Sequence, residues 1–98
     1  MIRHRAPSKS TLLVLSELLK QSQYGYALMK ITGLKSGTLY PILMRLTDRG
    51  LLSANWEPPQ ALGRPARQSY TLTAQGRLYA NSVLSKPIEV NLTERATT

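Results

Sequence analysis

The sequence predicts an α+β, mainly α fold in which three short helices precede a two-stranded hairpin and a fourth helix. Apolar residues recur at helical spacing in the first half of the chain, whereas residues 51–72 hold two strand-like runs around a loop rich in Pro and Gly. A helix followed directly by a basic hairpin is typical of a winged helix-turn-helix. In that fold a helix enters the major groove of DNA and the hairpin, the wing, contacts the flanking duplex.

Length and charge favour one nucleic-acid-binding domain. The chain has 98 residues, with 13 Lys and Arg against 5 Asp and Glu and a net charge of +8. Such a charge indicates a polyanionic partner, and its spread along the whole chain favours nucleic acid over an acidic membrane surface. The absence of cysteine excludes disulfides and thiolate zinc sites.

The residue types argue against an enzyme, a metal site and a cofactor. The single histidine, His4, lies in the polar N-terminal stretch, and no glycine loop ending in GK[ST] or paired histidine motif occurs. The apolar run from Leu12 to Leu19 is interrupted by Glu17 and is shorter than the roughly 20 residues of a membrane span. We therefore expect no membrane association and a cytoplasmic location.

Two core helices are predicted after a flexible basic arm over residues 1–9. The first helix is predicted from Thr11 to Lys20, with Ser8 or Ser10 as its N-cap. Leucines at helical spacing form its apolar stripe. The second covers residues 26–31 and ends at Gly33, and its Tyr26 is expected to pack into the core.

The third helix is the candidate recognition helix. We expect Ser36 to cap its start, Arg49 to lie in its last turn and Gly50 to follow its end. A core stripe at i, i+3, i+4 and i+7 consists of Leu39, Ile42, Leu43 and Leu46. On the opposite side, Thr38, Tyr40 and Arg45 are predicted to read bases, beside exposed Met44 and a slight kink at Pro41. Lys35, Ser36 and the free amides of the first turn are predicted to bind phosphate, with help from Lys9.

The predicted hairpin pairs residues 51–56 with residues 68–72 and carries a basic tip. Arg64 and Arg67 flank Pro65 there and are predicted DNA contacts in a minor groove or on phosphates. Trp56, at the end of the first strand, is expected to anchor the core or the hinge of the wing.

The fourth helix is predicted to mediate dimerisation. Thr73 can cap a helix from Ala74 to about Ser85, which Lys86-Pro87 would end, leaving a polar tail over residues 87–98. This gives a DNA-binding domain over residues 10–73 and a C-terminal dimerisation helix over residues 74–86. More than one side of the helix is apolar, so a second copy is expected to cover Leu78, Tyr79, Val83 and Leu84.

Less specific interpretations stay open at this level. The outer side of the third helix is also compatible with an ordinary solvated surface, and the wing arginines with a loop kept soluble by charge. Exposed Tyr40 and Met44 would also suit a winged-helix module that binds proteins and not DNA.

Four segments resemble the PadR family of bacterial transcriptional regulators: YGYALM (24–29), SGTLYPILMRL (36–46), DRGLLSANWE (48–57) and GRPARQSYTLTAQGR (63–77). The resemblance implies a winged helix-turn-helix that binds double-stranded DNA, usually as a repressor at a nearby promoter. It also implies a homodimer formed through the C-terminal helix with help from the first helix. Thr38 and Tyr40 fall at DNA-contact positions of the family, and the wing on residues 63–67. Many members respond to small aromatic ligands, but the sequence shows no pocket for such an effector.

Overall fold

The computed structural model describes residues 6–59, 62–63 and 66–97, with residues 86–97 described by their backbone. The elements in chain order are α1 (Lys9–Lys20), β1 (Gln23–Tyr24), α2 (Gly25–Thr32), α3 (Ser36–Asp48), β2 (Leu52–Glu57), β3 (Arg67–Leu72) and α4 (Ala74–Thr97). The predicted α+β, mainly α fold class is confirmed.

A leucine-rich core joins the helices to the sheet. The predicted stripe on α3 is confirmed, since Leu39, Ile42, Leu43 and Leu46 are all buried. They pack with fully buried side chains of α1 and α2 and with the inner residues of the strands. These partners are Val14, Leu15, Leu18, Leu28, Leu51, Leu52, Tyr70 and Leu72. Burial of aliphatic side chains thus fixes α3 against α1 and leaves its other side to solvent.

The sheet has three strands, one more than predicted. The strand order is β1-β3-β2, and β3 pairs antiparallel with both neighbours. Tyr70 in β3 lies opposite Gln23 of β1 on one side and Ala54 of β2 on the other. The extra strand, β1, is too short to show the alternation that identifies a strand in a sequence. It forms because the free edge of β3 offers backbone partners to the segment that enters α2.

The N-cap of α1 and the glycines that follow α2 and α3 agree with the predicted signals, whereas the start of α3 does not. Ser8 caps α1, because its Oγ accepts the Thr11 amide at 3.1 Å, and Gly33 and Gly50 adopt a left-handed φ of 77° after α2 and α3. At the start of α3 the N-cap is Lys35, so the prediction that Ser36 caps this helix is wrong. Ser36 is instead the first helical residue.

The fourth helix starts as predicted but extends further. Thr73 Oγ1 accepts the Gly76 amide at 3.0 Å and so caps α4. The helix then continues to Thr97, so the prediction that Lys86-Pro87 ends it is wrong. A proline removes one backbone donor and does not prevent helical backbone beyond it; α3 likewise contains Pro41.

A close backbone contact joins α4 to the base of the wing. The Thr73 hydroxyl donates to the Gly50 carbonyl at 2.7 Å, and the Thr73 amide donates to the Leu51 carbonyl at 3.1 Å. Gly76 lies so close to the Leu51 carbonyl oxygen that a Cβ at this position would overlap it. Only glycine fits this joint, which ties the end of α3, the start of β2 and the first turn of α4 together.

Gly76→Ala is expected to lower the free energy of unfolding by about 2–4 kcal/mol, because a backbone carbonyl must move to admit the methyl group. Urea unfolding followed by circular dichroism measures the change. Gly37→Ala is the matched control. It lies in α3 with nothing within 4 Å of the added Cβ, and should be neutral or stabilising by up to about 1 kcal/mol. Equal unfolding midpoints for Gly76→Ala and wild type would contradict the close contact.

Candidate nucleic-acid interface

The outer surface of α3 exposes the three predicted base-reading residues, Thr38, Tyr40 and Arg45. They do not form one patch. Thr38 and Arg45 lie about two turns apart on one flank of the helix, whereas Tyr40 is rotated by roughly 160° from Thr38 to the other flank. The outer surface of the helix between the two flanks, called here the crest, includes Met44, which exposes 65% of its surface. The helix therefore presents two chemically different flanks.

The Arg45 flank is positively charged. It borders an open cavity of about 420 Å³ together with the start of α1 and Arg49 and Tyr79. The Arg49 guanidinium lies 4.9 Å from the centroid of the Tyr79 ring, a cation–π contact that links the last turn of α3 to α4. Two guanidiniums consequently lie on this side of α3, near the N-terminus of α1.

The Tyr40 flank is aromatic. It borders a groove of about 300 Å³, called here the aromatic groove, between the start of α2, α3 and the wing strands. Its lining residues are Tyr24, Gly25, Tyr26, Tyr40, Trp56, Ala66, Arg67, Gln68 and Tyr70. Gly25 makes room for the Tyr40 phenol, since a Cβ there would lie 2.5 Å from the hydroxyl oxygen. Tyr40 is 37% exposed, and its side chain forms the wall of the groove on the side of α3.

The wing holds one of the predicted arginines in a fixed position. Arg67 begins β3 opposite Glu57, and its guanidinium lies 4.1 Å from the centroid of the Tyr24 ring. The Tyr24 hydroxyl donates to Glu57 Oε1 at 2.6 Å, and this bond raises the pKa of the phenol above its ordinary value. Arg67 thus lies at the end of the paired strands, while Arg64 lies outside the described residues.

The start of α3 meets the requirements for a phosphate contact. Lys35 and Ser36 are both exposed, and the Lys35 side chain does not cap the first-turn amides. Such amides carry the positive end of the helix dipole.

Sequence reasoning missed two exposed aromatic residues. Tyr26 is 63% exposed, so the prediction that it packs into the core is wrong. Trp56 is 69% exposed, so it does not anchor the core, and its role as an anchor of the wing hinge stays a prediction. Trp56 is in phase with buried Leu52 on β2, but the hairpin extends past the edge of the core, where the same side of the strand meets solvent. Alternation in a sequence shows which residues share one side of a strand. It does not show how far along the strand the core extends, and only the tertiary structure decides that.

The four predicted dimerisation residues occupy different environments on α4. Leu78 is 72% exposed, and Tyr79 is half-buried beneath Arg49. Val83 and Leu84 pack partly against the core, and Leu84 also borders an open apolar groove with α1 residues that include Leu13, itself 46% exposed. Exposed apolar residues therefore occur on both α1 and α4, and Leu13 and Leu84 border one groove.

The described part of the chain shows neither a metal-binding cluster nor a membrane-spanning helix. Among these residues, no group of three His, Cys, Asp or Glu side chains is arranged to hold a metal ion. No described helix combines the length and apolar character that crossing a membrane requires.

Comparison with solved structures finds the same fold in other proteins. A PadR-like transcription factor from Bacteroides fragilis is 26% identical, with a TM-score of 0.76 over 90% of this chain and 88% of that chain. A PadR family transcription regulator from Clostridium difficile R20291 is also 26% identical, with a TM-score of 0.72 over 91% and 94%.

Bacillus subtilis PadR in complex with operator DNA shares the fold at 23% identity. Its TM-score is 0.67, over 76% of this chain and 46% of that chain. A search of curated proteins finds no match to this sequence.

The family comparison agrees with the structural one. The model of the transcriptional regulator PadR-like family matches residues 14–82, a range that extends from α1 through the wing into α4. The resemblance noted in the sequence is thereby confirmed, and the chain belongs to the PadR-like family of transcriptional regulators.

Proposed function

We propose that this chain is a sequence-specific DNA-binding regulator, a repressor that binds an inverted-repeat operator as a homodimer in the bacterial cytoplasm. The observation that carries the proposal is the exposed outer surface of α3, with cations on one flank and the wing beside the other. A helix of this kind fits the major groove of B-DNA. The solved complex of Bacillus subtilis PadR with operator DNA gives a precedent within the fold.

The two flanks of α3 divide the contacts to DNA. Arg45 and Thr38 read base edges on one side, where an arginine can bond a guanine bidentately. Tyr40 contacts the DNA on the side of the wing. The phosphate contacts that set the register are assigned to Lys9 on α1, to Lys35 and Ser36 at the start of α3, and to the wing arginines Arg64 and Arg67.

Exposed apolar residues on α1 and α4 support the proposed two-fold dimer. Leu78 on α4 exposes 72% of its surface. Leu13 on α1 exposes 46% and borders an apolar groove with Leu84. Tyr79 and Val83 also lie on α4 and are partly buried. A second copy that buries this surface places two α3 helices on one side of the dimer, about one helical turn of DNA apart.

A protein-binding module is the second candidate, favoured by Met44 at 65% exposure on the crest of α3. The two functions differ in their need for the wing cations. If Arg64→Ala and Arg67→Ala bind DNA as wild type does, the protein-binding candidate gains.

The affinity for a specific duplex is expected to fall steeply with salt. Each phosphate neutralised by a lysine or arginine contributes about 0.9 to the slope of log affinity against log salt concentration. Fluorescence anisotropy with a labelled operator, selected from a random duplex pool, measures this slope. A flat affinity between low and high salt would count against the proposal.

Arg45→Ala is expected to reduce discrimination between operator and scrambled duplex by about 1–3 kcal/mol if the contact to guanine is bidentate. Binding to both duplexes is compared at one salt concentration. An equal loss on both would assign Arg45 to a phosphate contact.

Leu78→Glu is expected to convert the dimer to monomer, because a carboxylate would be buried without a partner at the interface. The side chain is mostly exposed in one copy, so the fold should be retained. Sedimentation velocity gives the mass. Leu62→Glu is the matched control, since Leu62 is fully exposed in the wing loop and far from α4 in sequence. A dimeric Leu78→Glu protein would remove Leu78 from the interface.

A further inference from the structure

The aromatic residues of the chain are concentrated in one place. The sequence has one Trp, five Tyr and no Phe, and five of these six residues line the aromatic groove. The core itself is built almost wholly from leucine and other aliphatic side chains, so its packing does not account for this concentration. Only Tyr70 of the five counts among the buried core residues.

Two cations are held against the rings of this cluster. Lys30 Nζ lies 5.4 Å from the centroid of the Tyr26 ring on α2, and the Arg67 guanidinium lies 4.1 Å from that of Tyr24. The bond from Tyr24 to Glu57 steadies the second pair. Positive charge is thereby placed at two points, one on α2 and one on the wing, with exposed rings between them.

The openness of the groove favours a long polymer over a small ligand. Sites for small molecules bury most of the ligand surface. Here Tyr26 and Trp56 each expose more than three fifths of their surface, so the walls enclose little. A sugar–phosphate strand has the complementary pattern, with apolar deoxyribose faces between regularly spaced anions.

We propose that the aromatic groove holds one sugar–phosphate strand of the duplex beside the base pairs that α3 contacts. Tyr26 and Trp56 pack on deoxyribose, and Lys30 and Arg67 pair with the phosphates on either side. Tyr40 joins this strand contact to α3. The inference rests on the proposed DNA-binding function and extends it to α2 and β2, which supply Tyr26, Lys30 and Trp56.

The first test separates apolar from ionic contacts by their salt dependence. Tyr26→Ala and Trp56→Ala should each weaken binding about five- to tenfold on operator and scrambled duplex alike, with the salt slope unchanged. Lys30→Ala should reduce the slope by about 0.9. Lys20→Ala is the matched control for net charge, because Lys20 pairs with Glu17 on α1, outside the groove, and should keep the wild-type slope.

The second test uses the fluorescence of Trp56, which is the only tryptophan in the sequence. Addition of duplex to the wild-type protein should shift the tryptophan emission to the blue and protect it from iodide quenching. Trp56→Phe keeps a ring and should recover part of the affinity lost in Trp56→Ala. Thermal unfolding of each variant checks the fold, which these exposed positions should leave intact.

The outcomes distinguish this inference from the proposed function. If the wild-type protein binds no duplex, the DNA-binding function itself fails. If it binds duplex while Tyr26→Ala and Trp56→Ala retain full affinity and the emission does not change, only the groove inference is overturned. Emission that responds to benzoate but not to duplex would also overturn it, and would indicate a site for small aromatic acids.

Discussion

The contact between Gly76 and the Leu51 carbonyl is the constraint on which the arrangement of the molecule depends. Thr73 bonds both the Gly50 and Leu51 carbonyls and caps α4 with the same hydroxyl that reaches Gly50. The end of α3, the base of the wing and the start of α4 therefore meet within a few residues. A side chain at position 76 would push α4 away from the Leu51 carbonyl. The positions of α3 and the wing relative to α4 would then change.

The two flanks of α3 give the proposed interface two kinds of chemistry. One flank carries Arg45, with Arg49 held on Tyr79, and its contribution is charge and hydrogen bonding. The other carries Tyr40 and adjoins a groove lined with aromatic rings. Charge-based contacts weaken as salt rises, whereas burial of rings does not. An interface of this composition would keep part of its affinity at physiological ionic strength.

The fourth helix packs on its own domain and also exposes apolar surface. Ala80 and Gly76 face the core and allow the helix to approach α1 and the wing closely, while Leu78 faces solvent. Small residues on the inner side and a large apolar residue on the outer side suit a helix placed between its own domain and a second copy. The cation–π contact of Arg49 with Tyr79 also connects α3 to this helix. In the proposed dimer, a change in the packing of α4 would therefore reach Arg49 at the end of α3 through this contact.

The sequence by itself determined the helices α1 and α3, the leucine stripe, the cap at Thr73, the hairpin and the family, and it limited the cap of α1 to Ser8 or Ser10. Each of these follows from periodicity, capping chemistry or short motifs that are local in the chain. Tertiary structure alone decided the strand β1, the exposure of Tyr26 and Trp56, the split of the α3 surface into two flanks and the need for glycine at position 76. These depend on where the core ends and which distant segments meet, and local patterns contain no such information. The proposed clustering of Tyr24, Tyr26, Tyr40, Trp56 and Tyr70 into one DNA-facing groove is of this second kind, because those residues come from five different elements.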